Sequence, residues 1–326
     1  MRKKWMAMAA AAVLISGCSS AEPAKENEQR NEINPLTGIV SADRSSHRAI
    51  AVVISNHPSA RPQTAIDEAD VVYEVLTEGG ITRFLALYQS EYPVKIGPVR
   101  SARDYFIKLA EGYNALFLAH GYSPEAQEIL LSGEIDQLNG IQHEGDIFKR
   151  DSSRKAPHNS YVDVEEALDV AEQKGYRMDN APSRLSFLSE KEKMSLNGEP
   201  AALLSIRPSS NDLFESSYEY DGTSYHRSIG GADVQVDNIF VIEADHRVVD
   251  AKGRMDIDLK SGGDAFLIQD GVLNLVKWRN QDGRIVPYTE SGAAFVQGKT
   301  WIHIVPAARG LNKAVNVEID GEGNGS

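Results

Sequence analysis

The sequence predicts a fold in two parts: an α+β or α/β N-terminal domain, then a smaller and mostly antiparallel β C-terminal domain. Three observations carry that expectation. Over residues 34–180 short apolar runs alternate with capped amphipathic segments, the pattern of strands interleaved with helices. From residue 201 to about 312 the helical pattern stops, and short strand-like runs follow one another with Asp-Gly turns between some of them. Residues 181–200 between the halves are polar, as suits a connector. At 326 residues the chain is long enough to bury two sizeable cores.

Composition narrows the functional classes. The hydrophobic fraction is 41% and the charged fraction 25%, as in ordinary globular proteins. The formal net charge is -13, which argues against direct nucleic-acid binding, since that rests on neutralising phosphates. Cys18 is the only cysteine, so neither an internal disulfide nor a Cys-rich metal or iron–sulfur site is expected.

Taken in order, Arg2-Lys3-Lys4, the apolar run 5–15 and Ser16-Gly17-Cys18 read as a signal peptide over residues 1–17. The apolar run is too short for a permanent transmembrane helix. Leu14-Ile15-Ser16-Gly17-Cys18 resembles a bacterial lipobox, which makes Cys18 the acylated first residue of a mature protein. The expected location is the cell membrane, lipid-anchored and facing outside the cytoplasm, with the bilayer as partner. Stable anchoring takes two or more acyl chains, at about 0.8 kcal/mol per buried CH₂. Residues 18–33 are charged and poor in large apolar groups, hence a flexible tether.

The ordered part begins at Asn34-Pro35-Leu36-Thr37-Gly38. Residues 49–55 (AIAVVIS) form a buried strand, and the prolines at 58 and 62 forbid a helix after it. Residues 71–77 and 81–88 are two more strands, with Glu78-Gly79-Gly80 as the turn between them. A helix is expected over 101–113 with Ser101 as N-cap, then a strand over 115–119. Ser123-Pro124-Glu125 opens a second helix that Gly133 closes, and Asp163 with Glu166 opens a third that ends at Gly175. In the second half, strands are expected at 203–206, 218–220, 225–226, 239–244, 265–269, 272–278 and 300–305, with a frayed tail over 313–326.

Candidate site residues gather in two segments. Arg83, Arg100 and Arg103 lie close together beside Glu78 and Asp104. Guanidinium is a rigid two-pronged donor, suited to a carboxylate, phosphate or sulfate, but equally to ion pairs with those neighbouring acids. A helix start near Arg100 and Arg103 adds free backbone N–H groups that favour an anion. The basic loop 148–159 holds Arg154, His158 and Asn159, and surface loops carry function more often than core strands do. Arg61 completes the ligand-binding set. His158 beside such arginines should stay neutral at pH 7 until an anion binds. Glu78, Asp104, His120, His143 and His158 are the acid–base candidates. No G-x-S-x-G elbow, HExxH helix, P-loop or dinucleotide fingerprint is present, and no cofactor is implied. His143-Glu144-Gly145-Asp146 clusters ligand types, yet without a second matching segment no metal is expected.

Several segments together resemble a family. Asn34-Pro35-Leu36-Thr37-Gly38, Arg61-Pro62-Gln63, Glu78-Gly79-Gly80-Ile81-Thr82-Arg83, Gly97-Pro98-Val99-Arg100-Ser101-Ala102-Arg103 and Ala156-Pro157-His158-Asn159 look like the YerB-type lipoproteins of Gram-positive bacteria. Trp278 and Gly298-Lys299-Thr300-Trp301 resemble that family's C-terminal domain. The resemblance implies a lipid anchor and a two-part architecture, and no chemistry. Two functions remain open from the sequence. One is a tethered binding or scaffolding protein whose Arg/His groove takes an anionic cell-wall ligand or protein partner. The other is an envelope hydrolase acting on a wall polymer through Glu/Asp and His.

Overall fold

A computed structural model describes residues 32–41 and 46–318; Cys18, the signal segment, most of the tether and the last eight residues lie outside them. The first half contributes β1 (Ile50–Ser55), β2 (Val71–Leu76), β3 (Thr82–Tyr88), α1 (Asp104–Glu111), β4 (Leu116–Ala119), α2 (Pro124–Ser132) and β5 (Gln137–Asn139). It continues through β6 (Phe148–Arg150), β7 (Ser160–Asp163) and α3 (Val164–Gln173). The second half contributes β8 (Leu203–Ile206), β9 (Ser216–Tyr220), β10 (Tyr225–Ile229), β11 (Ala232–Val236), β12 (Asn238–Ala244), β13 (His246–Val248) and β14 (Met255–Ile257). β15 (Gly263–Gln269), β16 (Val272–Gln281), β17 (Arg284–Tyr288), β18 (Thr300–Pro306) and β19 (Val315–Glu318) follow.

β1, β2 and β3 are buried at every position, which is why they read as unbroken apolar runs: both faces of their sheet are covered. Ile50, Val52 and Ile54 pack on one side, with Leu204, Ile206, Tyr218 and Tyr225 from the second sheet. Ala51 and Val53 pack on the other, with Phe106 and Leu109 of α1 and Ala126 of α2. The strand period of two thus sorts alternate residues of one run into two cores.

The main sheet has eleven strands and draws on both halves, in the order β16-β15-β12-β18-β2-β3-β1-β4-β5, with β17 and the short strand Glu199–Pro200 both on β16. β18 enters between β12 and β2 and is parallel to both, in register Thr300↔Val71 to Ile304↔Val75 on the β2 side. The second half is otherwise mostly antiparallel, and a five-stranded sheet β11-β10-β9-β8-β19 packs over the first.

The connecting stretch 181–200, with a short helix at Glu190–Lys193 and the strand Glu199–Pro200 at its end, does not mark a break in the main sheet. A nick there should therefore leave two pieces that travel together on size exclusion and part only in denaturant. Separate elution of native fragments 34–180 and 200–312 would contradict the shared sheet.

A buried charge network ties the two sheets together. On β2, Glu74 accepts hydrogen bonds from Arg227 of β10 at 2.7 Å, Trp301 Nε1 of β18 at 3.2 Å, Thr82 at 2.9 Å and Asn56 at 3.1 Å. The Tyr218 hydroxyl accepts from Arg227 at 3.2 Å and meets His303 Nε2 at 2.8 Å. Burial alone would push the Glu74 carboxyl up, but Arg227 and His303 outweigh it and hold it at about 2. Burial pushes the His303 imidazole down to about 4.

Three expectations are corrected. Helix α1 starts at Asp104 with Arg103, not Ser101, at the N-cap. Residues 100–102 stay extended because Ser101 Oγ donates to His120 O at 3.0 Å and Ala102 N to Gly121 O at 2.9 Å. Residues 311–314 form a short helix in the half where none was expected. Residues 315–318 do not fray: β19 pairs β8 antiparallel.

The sheet has a clear polarity. β12, β18, β2, β1, β4 and β5 all point one way, with β3 and β15 reversed. The first ordered turn docks at the amino edge. Asn34 Oδ1 caps the N–H groups of Leu36 and Thr37 at 2.9 and 3.0 Å, and its amide bonds Gln89. Gln89 in turn donates to Asp70, just before β2, at 2.6 Å and to His47 O, just before β1, at 3.1 Å.

Candidate functional site

At the opposite, carboxyl edge the ends of β1, β2 and β4 place Ser55-Asn56-His57, Glu78 and His120 side by side. Clefts outside the carboxyl ends of such strands are where open α/β sheets take ligands. Residues 97–103 are laid across this edge as an extended strap. Ser55 N donates to Pro98 O at 2.9 Å, Arg100 N to Val53 O at 2.8 Å, and His120 N to Arg100 O at 3.0 Å. Gly97 is required here: its φ is +158° and a Cβ would lie 2.7 Å from the Tyr161 ring and 2.9 Å from Ser160 O.

The loop 151–159 closes over the strap. Arg154 staples it to the 59–62 segment, donating to Ser59 O at 3.3 Å and Pro62 O at 2.8 Å. Arg100 donates to Pro157 O at 3.2 Å. Cis peptide bonds occur at Arg61-Pro62, Gly97-Pro98 and Ala156-Pro157, one in each of the three segments that meet here.

The structure brings most of the basic groups named from the sequence to this edge and sorts them by partner. Arg103 grips Glu78 with two prongs, at 2.5 and 3.0 Å, and Arg83 lies 3.9 Å from the same carboxylate while donating to Ser101 O at 2.9 Å. Burial would raise Glu78, but Arg103 prevails and its pKa is lowered. Burial, with Arg103 and Arg100 nearby, brings Arg83 down to about 10. These two arginines are ion-paired, the alternative the sequence left open. Asp104 is engaged elsewhere, with Lys108 one turn along α1 at 2.6 Å.

Arg100, Arg154 and Arg61 differ. Among the described residues none of them meets a carboxylate: Arg61 donates to Asn56 O and Oδ1 at 3.1 Å and to Leu213 O at 2.8 Å, and lies over the Phe214 ring. His158 sits between the first two. Its Nδ1 is 3.2 Å from Ser55 Oγ, and its ring stacks on His57 at 4.5 Å. Burial, then Arg100, His57 and Arg154, drive its pKa down to about 4, so the imidazole is neutral at pH 7.

His120 lies beside this group, with Ser160 Oγ on Nδ1 at 2.7 Å and Arg150 on Nε2 at 3.3 Å. Burial and Arg150 lower its pKa. Asn159 accepts from Arg150 at 3.1 Å, and Glu144 balances Arg150 at 2.6 Å. His143 faces Asp146 at 3.4 Å in an exposed loop. Ser55, His57 and Arg150 joined the site without having been singled out, and Glu144 had been named only in a cluster of metal-ligand types. For Ser55 and His57 the available signal was position, directly after an apolar strand and before Pro58.

A cavity of about 530 Å³ lies elsewhere, lined by Lys108 of α1 and by residues 245–247 and 256–260 around the β13–β14 hairpin. The candidate site is an open edge.

Comparison with known proteins follows this geometry. The N-terminal domain of a protein of unknown function, DUF3048, matches residues 36–177, and the C-terminal domain of the same family matches residues 206–302. YerB of Bacillus subtilis (strain 168), provisionally named a lipoprotein, is 38% identical over 318 residues, which is 93% of this chain and 96% of the relative. The crystal structure of Bacillus subtilis YerB superposes with a TM-score of 0.80 at 40% identity, covering 87% of this chain and 99% of that one.

Proposed function

The chain belongs to the DUF3048 family of proteins of unknown function, and from that premise we propose that it is a lipid-anchored envelope lipoprotein that binds an anionic group at the carboxyl edge of its main sheet. The anchor is read from Cys18 in its lipobox-like setting and from the name of the Bacillus relative. Arg100 and His158 are the ligand-facing groups. Arg154 shapes the loop that carries His158, and Asn159 holds Arg150 beside them.

One observation carries the reading. In a chain of net charge -13, Arg100 and Arg154 lie on one open edge with carbonyl partners and, among the described residues, no carboxylate. Guanidinium groups so placed gain most from an incoming anion.

The test separates ligand arginines from structural ones. Arg100→Ala should weaken binding of inorganic phosphate, measured by calorimetry, by about 1.5–3 kcal/mol with the melting temperature unchanged. Arg103→Ala should instead lower the melting temperature, because Glu78 loses its two-pronged partner. Equal phosphate binding by wild type and Arg100→Ala would sink the assignment.

A further inference from the structure

Resting on that reading, we propose that the anion is a tetrahedral dianion of the phosphomonoester type, held between Arg100 and the His57–His158 stack, and that its capture brings a proton onto His158. The donors come from three separate segments: Arg100 from the strap, His57 from the end of β1, and His158 from the loop Arg154 staples down. A carboxylate is planar and is matched by a single guanidinium fork. A monoester phosphate offers three terminal oxygens to donors on several sides and carries about -1.5 to -2 charge near neutral pH.

The charge count favours the same class. Arg61 is turned to Leu213 O and the Phe214 ring, which leaves Arg100 and Arg154 as the two arginines acting on His158, with no carboxylate among the described residues to offset them. A dianion cancels both. A carboxylate or a phosphodiester leaves one uncancelled.

The proton follows from what surrounds His158. The groups facing it are Arg100 from the strap, His57 and Ser55 from the end of β1, and Arg154 from its own loop. None is acidic. Burial and these positive neighbours keep the ring neutral, with Nδ1 taken by Ser55. A dianion beside it cancels the two arginine charges and sets an acceptor against the ring, so protonation of the imidazole is favoured over that in the free chain. The proton comes from solvent, and no bond of the ligand is made or broken.

Calorimetry on the full chain in neutral detergent tests this with sulfate, which stays dianionic across the range used. Between about pH 7.5 and about pH 5.5 sulfate affinity should rise by between about tenfold and about a hundredfold, since one proton taken up on binding changes affinity about tenfold per pH unit. Acetate should bind at least about tenfold more weakly than sulfate, reflecting one charge-assisted contact fewer. Glycerol phosphate should behave as sulfate does near neutral pH. Phosphatidic acid in the same micelles, set against glycerol phosphate, assigns the phosphomonoester to a lipid if it binds more tightly and to a soluble molecule if it does not. His158→Gln, which keeps a polar donor but cannot titrate, should still bind sulfate with its pH response gone. Acetate binding as tightly as sulfate overturns the dianion, and a pH response surviving in His158→Gln overturns the proton site. Either result leaves an anion site standing. Failure of every anion to bind the wild-type chain overturns this proposal and the underlying reading together.

Discussion

Replacing Arg227 with alanine should destabilise the whole folded part by about 3–5 kcal/mol, the range for breaking a buried ion pair by removing one partner. Arg227 is 4% exposed and Glu74 is 1% exposed. Without the guanidinium, Glu74 keeps Trp301, Thr82 and Asn56 as donors, with only the His303 imidazole, 3.6 Å away, left to offset its charge. Denaturant melts should show one transition shifted as a unit, because Glu74 belongs to the first half and Arg227 to the second. Two separated transitions, or a shift under about 1 kcal/mol, would mean the pair is not the tie described here.

The same network sets the response to acid. The His303 pKa is depressed to about 4 in the folded chain, whereas an unfolded histidine titrates near 6.5. Between those values the unfolded state binds the proton and the folded state does not, so stability should fall as pH drops from about 6.5 to about 4. Glu74 adds a second loss lower down. Its pKa is about 2, so its contribution is complete above the unfolded value near 4.5 and is lost as pH falls through 2.

Trp301→Ala is expected to cost about 3–5 kcal/mol, as for other buried tryptophans. The ring lies in β18 between β12 and β2, stacks edge-on against Phe84 at 5.2 Å, lies 4.7 Å from the Arg227 guanidinium and donates to Glu74. The cavity would therefore open at the seam of the sheet. Combined with Arg227→Ala, the losses should be less than additive, since both remove partners of one carboxylate. Additive losses in a double-mutant cycle would show that the indole acts by volume alone.

How much of this could be read from the sequence depended on the range of the interaction. β1, β2 and β3 were legible because doubly covered strands leave long apolar runs, and the caps at Ser123 and Asp163 because capping is settled within four residues. The start of α1 was misplaced since Ser101 is claimed by His120 O, nineteen residues away. Glu74, Arg227 and His303 left no local signal at all. Each looks like an ordinary polar residue in a strand until β18 and β10 meet β2. Within the candidate site, arginine clustering pointed to the edge where these groups meet. Which arginines were spent on Glu78 and which met only carbonyls is a matter of side-chain direction, and no spacing rule carries that.

The docking of Asn34 against Gln89 fixes the first ordered turn at the amino edge of the main sheet. Arg100 and His158 lie at the other end of the same strands, so the entering chain and the candidate site do not compete for one edge. A ligand could therefore reach that edge without displacing the first ordered turn, much as a door opens on the side away from its hinge.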